Sequence, residues 1–205
     1  MVVIKELLVL GNGVHACEMV EIIERMNINS DYHLLGFVGE NPNVDKLLGY
    51  PVYSINDLEG RFSQAALIPD NTFNLELKQK YRSRMISLID PSCMVSRTAK
   101  IGLGSVLYPG CFVGLNAIIE DFVFCLSGCI INHDDVIGMG SILTSGVRIA
   151  GNVTVGRQVY LGQGCTIRQL LKIGENSLIG TGAVVVKDVP PSSVMVGNPA
   201  HALKK

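Results

Sequence analysis

The sequence predicts a small parallel α/β domain followed by a parallel β-helix. Three observations carry that reading: an apolar residue recurring every six positions from Ile89 to Val185, glycines placed directly after many of those residues, and a strand–glycine turn–helix pattern upstream. Of the 17 positions in the six-residue series, sixteen are Ile, Leu or Val, the exception being Cys125; at their overall frequency of 64 in 205, about five would be. A helix repeats every 3.6 residues and a plain strand every two, so neither generates a period of six. A unit of one short strand and one corner does. Gly102, Gly114, Gly138, Gly156, Gly162, Gly174 and Gly180 follow the recurring residue, where a corner needs an unencumbered backbone. The residue four places on is small at many units, as at Ala99, Ser105, Cys111, Ala117, Cys129 and Ser141.

Residues 1–85 are organised differently. Leu7–Leu10 reads as a buried strand, Gly11–Ala16 as a turn, and the stretch to Met26 as an amphipathic helix carrying Val14, Cys17, Val20 and Ile23. His33–Val38 is a second strand ending at Gly39-Glu40-Asn41-Pro42. Tyr50–Tyr53 is a short extended piece, Ala65–Ile68 a further strand, and Glu76–Arg84 a helix, before Ser87–Ile89 leads into the repeats. Alternating strands and helices imply a small parallel, Rossmann-like sheet, with the β-helix and a C-terminal tail occupying 86–205.

Composition excludes several classes. With 17 Lys and Arg against 18 Asp and Glu, the net charge of −1 gives no broad attraction to nucleic acid or anionic lipid. Charged residues make up 17% and hydrophobic ones 48%, which rules out a disordered chain. No apolar run reaches the roughly 18 residues of a membrane span, and Met1–Leu10, interrupted by Lys5 and Glu6, lacks the features of a signal peptide. The expectation is a soluble cytoplasmic protein. Six cysteines without a C-x-x-C pair are then reduced thiols used as small hydrophobes. Cys93, Cys111, Cys129 and Cys165 fall in one column at multiples of 18, so stacked coils would allow a disulfide, although a space-filling thiol ladder is the simpler reading.

Two segments carry chemistry. Gly11-Asn-Gly-Val-His-Ala16 fits G-x-G-x-x-A between a strand and a helix, where free N–H groups and the positive end of the helix dipole meet phosphate. About 80 residues cannot hold both halves of a dinucleotide fold, so a single nucleotide fits better than NAD. A ligand-free glycine turn is the structural alternative. The second segment, Ile131-Asn-His-Asp-Asp-Val136, is the most polar unit of the repeats. His133 sits two places beyond the inward Ile131 and projects outward, and a neutral imidazole beside a carboxylate is a natural general base near pH 7. A solvated surface histidine is its bland alternative. There is no G-x-S-x-G elbow for an acyl-enzyme, and one histidine within the repeats cannot supply three zinc ligands, so no metal is expected.

With these residues in view, the chain resembles the hexapeptide-repeat sugar acetyltransferases, the family of the sialic acid O-acetyltransferase and the UDP-amino-sugar N-acetyltransferases. The resemblance rests on the Gly11–Ala16 turn with His15, Gly36-Phe-Val-Gly-Glu40, Gly49-Tyr-Pro-Val52, the Ile131–Val136 unit and the ending Val194-Met-Val-Gly-Asn-Pro-Ala200. It implies a left-handed parallel β-helix and a homotrimer, with acetyl-CoA lying along the β-helix between neighbouring subunits and a nucleotide-linked amino sugar held by the N-terminal domain. Carried over, His133 is the general base and Asp134 the acid that raises its basicity, with Asp135 as the other candidate for that role. Nucleotide contacts fall on Gly11, Gly13, Val14, His15, Gly39, Glu40 and Pro69. Coenzyme contacts fall on Ile142, Gln163 and Thr181. Members often carry Ser-Gly-His in the first turn, paired acids after the second strand, glycine at the place of Pro69 and histidine at that of Ile142. The implied activity is N-acetylation by direct transfer from acetyl-CoA. The rivals are O-acetylation of sialic acid or another sugar, a non-catalytic nucleotide-sugar-binding trimer and, more distantly, a dinucleotide oxidoreductase.

Overall fold

In the computed structural model, residues 5–26, 32–40 and 42–203 are described; the first four residues of the opening segment and Asn41 lie outside them. The chain divides into two compact units, Met1–Leu88 and Ile89–Lys205.

The first unit is built on a five-stranded sheet. Its strands are β1 (Lys5–Leu10), β2 (Tyr32–Gly39), β3 (Lys46–Leu47), β4 (Tyr50–Ser54) and β5 (Ala66–Pro69), in the order β3-β4-β2-β1-β5. All pairings are parallel except β3–β4, a hairpin that the sequence pattern left unmarked. Continuous apolar runs make β1 and β2 central strands, and Leu8, Leu10 and Phe37 are fully buried. Helix α1 (Val14–Met26) crosses from β1 to β2 and buries Ala16, Met19, Val20, Ile22 and Ile23. Because β2 lies on one side of β1 and β5 on the other, the strand order reverses at β1. In open parallel sheets, ligands gather in the crevice beyond the carboxyl ends of the strands at such a reversal.

The predicted helix to Arg84 is shorter than expected. α2 spans Leu75–Lys80, capped by the Asn74 side chain, which accepts from the Glu76 and Leu77 N–H groups. A 3₁₀ turn, Arg82–Arg84, follows. The break places the Arg84 guanidinium on the carbonyls of Leu58, Phe62 and Ala65 and lets the Ile86 N–H reach Leu67 O, bonds that a continued helix would forgo.

The second unit is a parallel β-helix. Two-residue rungs stack into three sheets: a first wall that includes Phe112–Val113 and Ile130–Ile131, a second that includes Ile118–Ile119 and Val136–Ile137, and a third that includes Phe124–Cys125 and Ile142–Leu143. Rungs pair 18 residues apart along most of the coil, as Phe112 with Ile130 and Val113 with Ile131. The six-residue column forms its buried core, from Leu107 through Ile131 and Ile149 to Val185. All six cysteines are free; Cys111, Cys125, Cys129 and Cys165 are buried, and burial pushes the Cys165 thiol up to about 12.

Two kinds of corner position explain the glycines. At Gly114, an added Cβ would lie 2.7 Å from backbone atoms of Asn132 and His133 on the next coil, so close coil stacking excludes a side chain. Three places beyond the inward residue, the backbone turns left-handed at every sixth position from Gly104 to Gly182. Asn116, Asp134, Asn152 and Asn176 fill such places, which short polar side chains tolerate best after glycine. The second rule had no apolar signature in the sequence.

Candidate active site

His133 lies on a turn between the first and second walls, following the rung Ile130–Ile131. Its side chain is 58% exposed and that of Asp134 44%. Asp134 has φ +60°, and from this left-handed corner its Oδ2 meets His133 Nδ1 at 2.8 Å. Bonding to His133, and secondarily to Asn116, holds the Asp134 carboxyl below its ordinary range. An ionised carboxylate carries no proton, so Nδ1 is the donor of this bond, and in the neutral ring Nε2 keeps its lone pair. Nε2 lies over Gly151, one coil on, where an added Cβ would be 2.5 Å from it.

Asp135 plays a different part. It occupies the small inward position four places beyond Ile131, fully buried, where its Oδ2 accepts from the Asn132 N–H and its Oδ1 from the Val153 N–H, both at 2.8 Å. Ser105, Ser141 and Ser177 take equivalent inward places, and their hydroxyls likewise accept an N–H from the next coil. Burial pushes the Asp135 carboxyl up to about 7 against the opposing effect of its two N–H donors. Asp135 thus braces the turn that presents His133, and Asp134 is the carboxylate on the imidazole. Asp135→Asn should lower stability by roughly 1–3 kcal/mol, because one arm of an amide is a donor that would face an N–H. Chemical denaturation checks this, and an unchanged midpoint would remove Asp135 from that role.

In the first unit, the proposed nucleotide residues gather at the carboxyl edge of the sheet. Gly11 N–H donates to Val38 O and the Asp70 N–H to Leu10 O, both at 2.8 Å, which aligns the ends of β2, β1 and β5. Pro69 pairs with Leu10. Gly39 approaches the Asn12 side chain, and Glu40 Oε1 accepts from the Asn74 N–H at 3.2 Å. Val14 is 75% exposed in the first turn of α1, and His15 Nδ1 is 3.0 Å from Glu18 Oε2. The two glycines of the turn differ. Gly11 has φ +130°, and a Cβ there would strike the Asp70 carboxylate at 2.2 Å, so it is structurally required. Gly13 has neither constraint; nothing lies within 4 Å of an added Cβ.

Sequence reasoning passed over Asp70 and Asn71. Asp70 is fully buried, and its Oδ1 accepts from the Thr72 N–H, the Thr72 hydroxyl and the Phe73 N–H, while its Oδ2 and Asn71 Oδ1 have no hydrogen-bond partner among the described residues. The signal was available in the turn-forming Pro69-Asp70-Asn71 directly after a strand.

The residues that the resemblance assigns to the coenzyme lie elsewhere on the coil. Gln163 and Thr181 are exposed, one coil apart, on the turns between the third and first walls; Ile142 is the half-buried outer residue of its rung on the third wall. His133 sits on a different turn, so one chain does not bring the two groups together. Among the described residues, no group of three or more His, Cys, Asp or Glu could hold a metal, and no helix is long and apolar enough to cross a membrane.

A parallel β-helix bearing an exposed His–Asp pair, preceded by a small parallel α/β unit, places this chain in likeness with the hexapeptide-repeat sugar acetyltransferases. No family model and no curated protein matches its sequence. Solved structures do. PerB from Caulobacter crescentus, in complex with CoA and GDP-perosamine, is 27% identical with a TM-score of 0.88, over 98% of both chains. The acetyltransferase domain of PglB from Neisseria gonorrhoeae FA1090 is 25% identical with a TM-score of 0.88, over 97% of this chain and all of that one. WeeI from Acinetobacter baumannii AYE shares the fold at 24% identity and a TM-score of 0.87, over 97% of this chain and all of its own.

Proposed function

We propose that this chain is an acetyl-CoA-dependent N-acetyltransferase acting on the amino group of a nucleotide-linked sugar. The observation that carries the reading is the His133–Asp134 pair, exposed on a β-helix turn, in a chain that matches end to end an enzyme solved with CoA and a GDP-linked sugar. In the proposed step, His133 Nε2 takes the amine proton as nitrogen bonds to the thioester carbonyl carbon. The C–S bond then breaks, and the proton passes from the imidazolium to the departing CoA sulfur, giving amide and free thiol. Asp134 stabilises the imidazolium in between.

Coenzyme contacts are assigned to Ile142, Gln163 and Thr181. Their separation from His133 within one chain supports a homotrimer in which a second copy completes each site, on a left-handed coil. The nucleotide is assigned to Gly11, Gly13, Val14, His15, Gly39, Glu40 and Pro69, at the strand-order reversal of the first sheet. The absence of a membrane-length helix among the described residues fits a cytoplasmic enzyme supplied with free CoA. Free-thiol release from acetyl-CoA across UDP-, dTDP- and GDP-linked amino sugars, with product mass analysis, tests the activity and separates N- from O-acetylation. No turnover on any amino sugar would overturn it.

The open space at Gly13 makes a clean test of the nucleotide assignment. An added Cβ meets nothing within 4 Å there, so a loss of affinity in a folded variant reports obstruction of a ligand's approach to the α1 N-terminus. Gly13→Val should raise the sugar-nucleotide KM about tenfold or more, the effect of about 1.4 kcal/mol, with CoA affinity unchanged. Calorimetric titration with each ligand checks it; unaltered nucleotide affinity in a folded variant sinks the assignment.

A further inference from the structure

We propose that Asn116 and Gly151, one coil before and one coil after the His133–Asp134 turn, are positioning residues that together fix the direction of the His133 imidazole. The proposal rests on the reading of His133 as the base. An exposed His–Asp pair in water holds little orientation by itself, since solvent competes for every bond it makes. Here the pair is held from both sides.

On the preceding coil, Asn116 Nδ2 donates to Asp134 Oδ1 at 3.0 Å, which leaves Oδ2 for His133 Nδ1 at 2.8 Å. The two carboxylate oxygens are thereby given separate tasks, and rotation of the carboxylate breaks both bonds. Asn116 is itself anchored, its N–H donating to Thr98 Oγ1 at 2.9 Å. Its backbone is left-handed, φ +57°, but that alone does not call for an amide, because Gly110 and Phe122 fill the corners before and after it. The side chain is what Asn116 adds.

On the following coil, Gly151 has no left-handed backbone to justify it. The three nearest atoms to an added Cβ are all in the His133 ring: Nε2 at 2.5 Å, Cε1 at 2.6 Å and Cδ2 at 3.0 Å. At Gly102, Gly114 and Gly138, by contrast, the nearest obstacle is backbone of the next coil. Gly151 therefore makes room for the imidazole, and any side chain there pushes the ring off its seat.

The test measures kcat, both KM values and the melting temperature of Asn116→Gly and Gly151→Ala, each alone and with His133→Ala. Asn116→Gly keeps the left-handed corner and removes only the amide, so kcat should fall about 3- to 10-fold, the range for one hydrogen bond, with both KM values and the melting temperature held. Gly151→Ala should lower kcat about 100-fold by displacing the base, again without loss of stability, because the ring and not the backbone gives way. Neither substitution should reduce activity further in the His133→Ala background. Overturning results are a kcat within about twofold of wild type in either single variant, losses confined to KM or matching the fraction unfolded, or an undiminished effect when His133 is already gone. If His133→Ala itself keeps full turnover, the base reading fails; if only it loses turnover, the positioning proposal fails alone.

Discussion

His133→Ala is expected to lower turnover by roughly 10²–10⁴-fold, the usual worth of a positioned general base. The fold should be unaffected, because the side chain is exposed and supports no core contact. Both KM values should stay near wild type, since a group that acts on the proton in flight is not needed to bind either reactant. Asp134→Ala should cost less, because it removes an orienting bond and a stabilising charge while leaving the base itself. Steady-state kinetics on purified variants decides it: turnover within threefold of wild type for His133→Ala would exclude this residue from proton transfer. If Asp135→Ala retained its melting temperature yet lost more turnover than Asp134→Ala, the bracing role assigned to Asp135 would be wrong.

Ile149→Asp is expected to prevent folding of the β-helix. Ile149 is fully buried in the inward column, between Ile131 and Ile167 on the neighbouring coils. The change forfeits about 1.5–3 kcal/mol of apolar burial and adds the cost of desolvating an unpaired carboxylate, several kcal/mol more. Together these approach the roughly 5–15 kcal/mol that holds a whole domain. Asp135 shows what a carboxylate in this interior needs, namely two N–H donors, and the Ile149 place sits between isoleucine side chains. Arg148→Asp, on the exposed partner residue of the same rung, is the control and should fold. A soluble Ile149→Asp protein with an unshifted melting curve would show that the inward column had been assigned to the wrong residues.

The β-helix was legible because its register is a property of composition along the chain. One face of each rung must be apolar, and the coil returns to that face every six residues, so the core is written as a period. The left-handed corners were not legible, since seven of the fourteen from Gly104 to Gly182 are not glycine and Phe122 and Leu170 are among them. Stacking on adjacent coils imposes that conformation whatever the residue. Asp135 escaped for the same reason. A carboxylate at an inward place reads as a mistake until the Asn132 and Val153 N–H groups are seen to converge on it.

In the first unit, the glycine turn and its helix followed from local pattern, as did the strand ends at Gly39 and before Pro69, whereas the grouping of Gly39, Glu40 and Pro69 came from the family resemblance. The early end of α2 did not, because it depends on contacts with distant carbonyls, and neither did β3, whose two residues in a local hairpin with β4 are too few to show a period. The same division runs through the candidate active site. Sequence alone determined that His133 stands outward beside acidic residues, since in each six-residue unit the interior takes the recurring apolar residue and the one four places on, and His133 falls between them. Only the tertiary structure decided that Asp134 takes the imidazole, that Asp135 takes the backbone, and that Asn116 and Gly151 flank the pair. The contacts that sort these roles, Asn116 with Asp134, Val153 with Asp135 and Gly151 with His133, join residues 18 apart, and no local preference encodes a neighbour that arrives one full coil later.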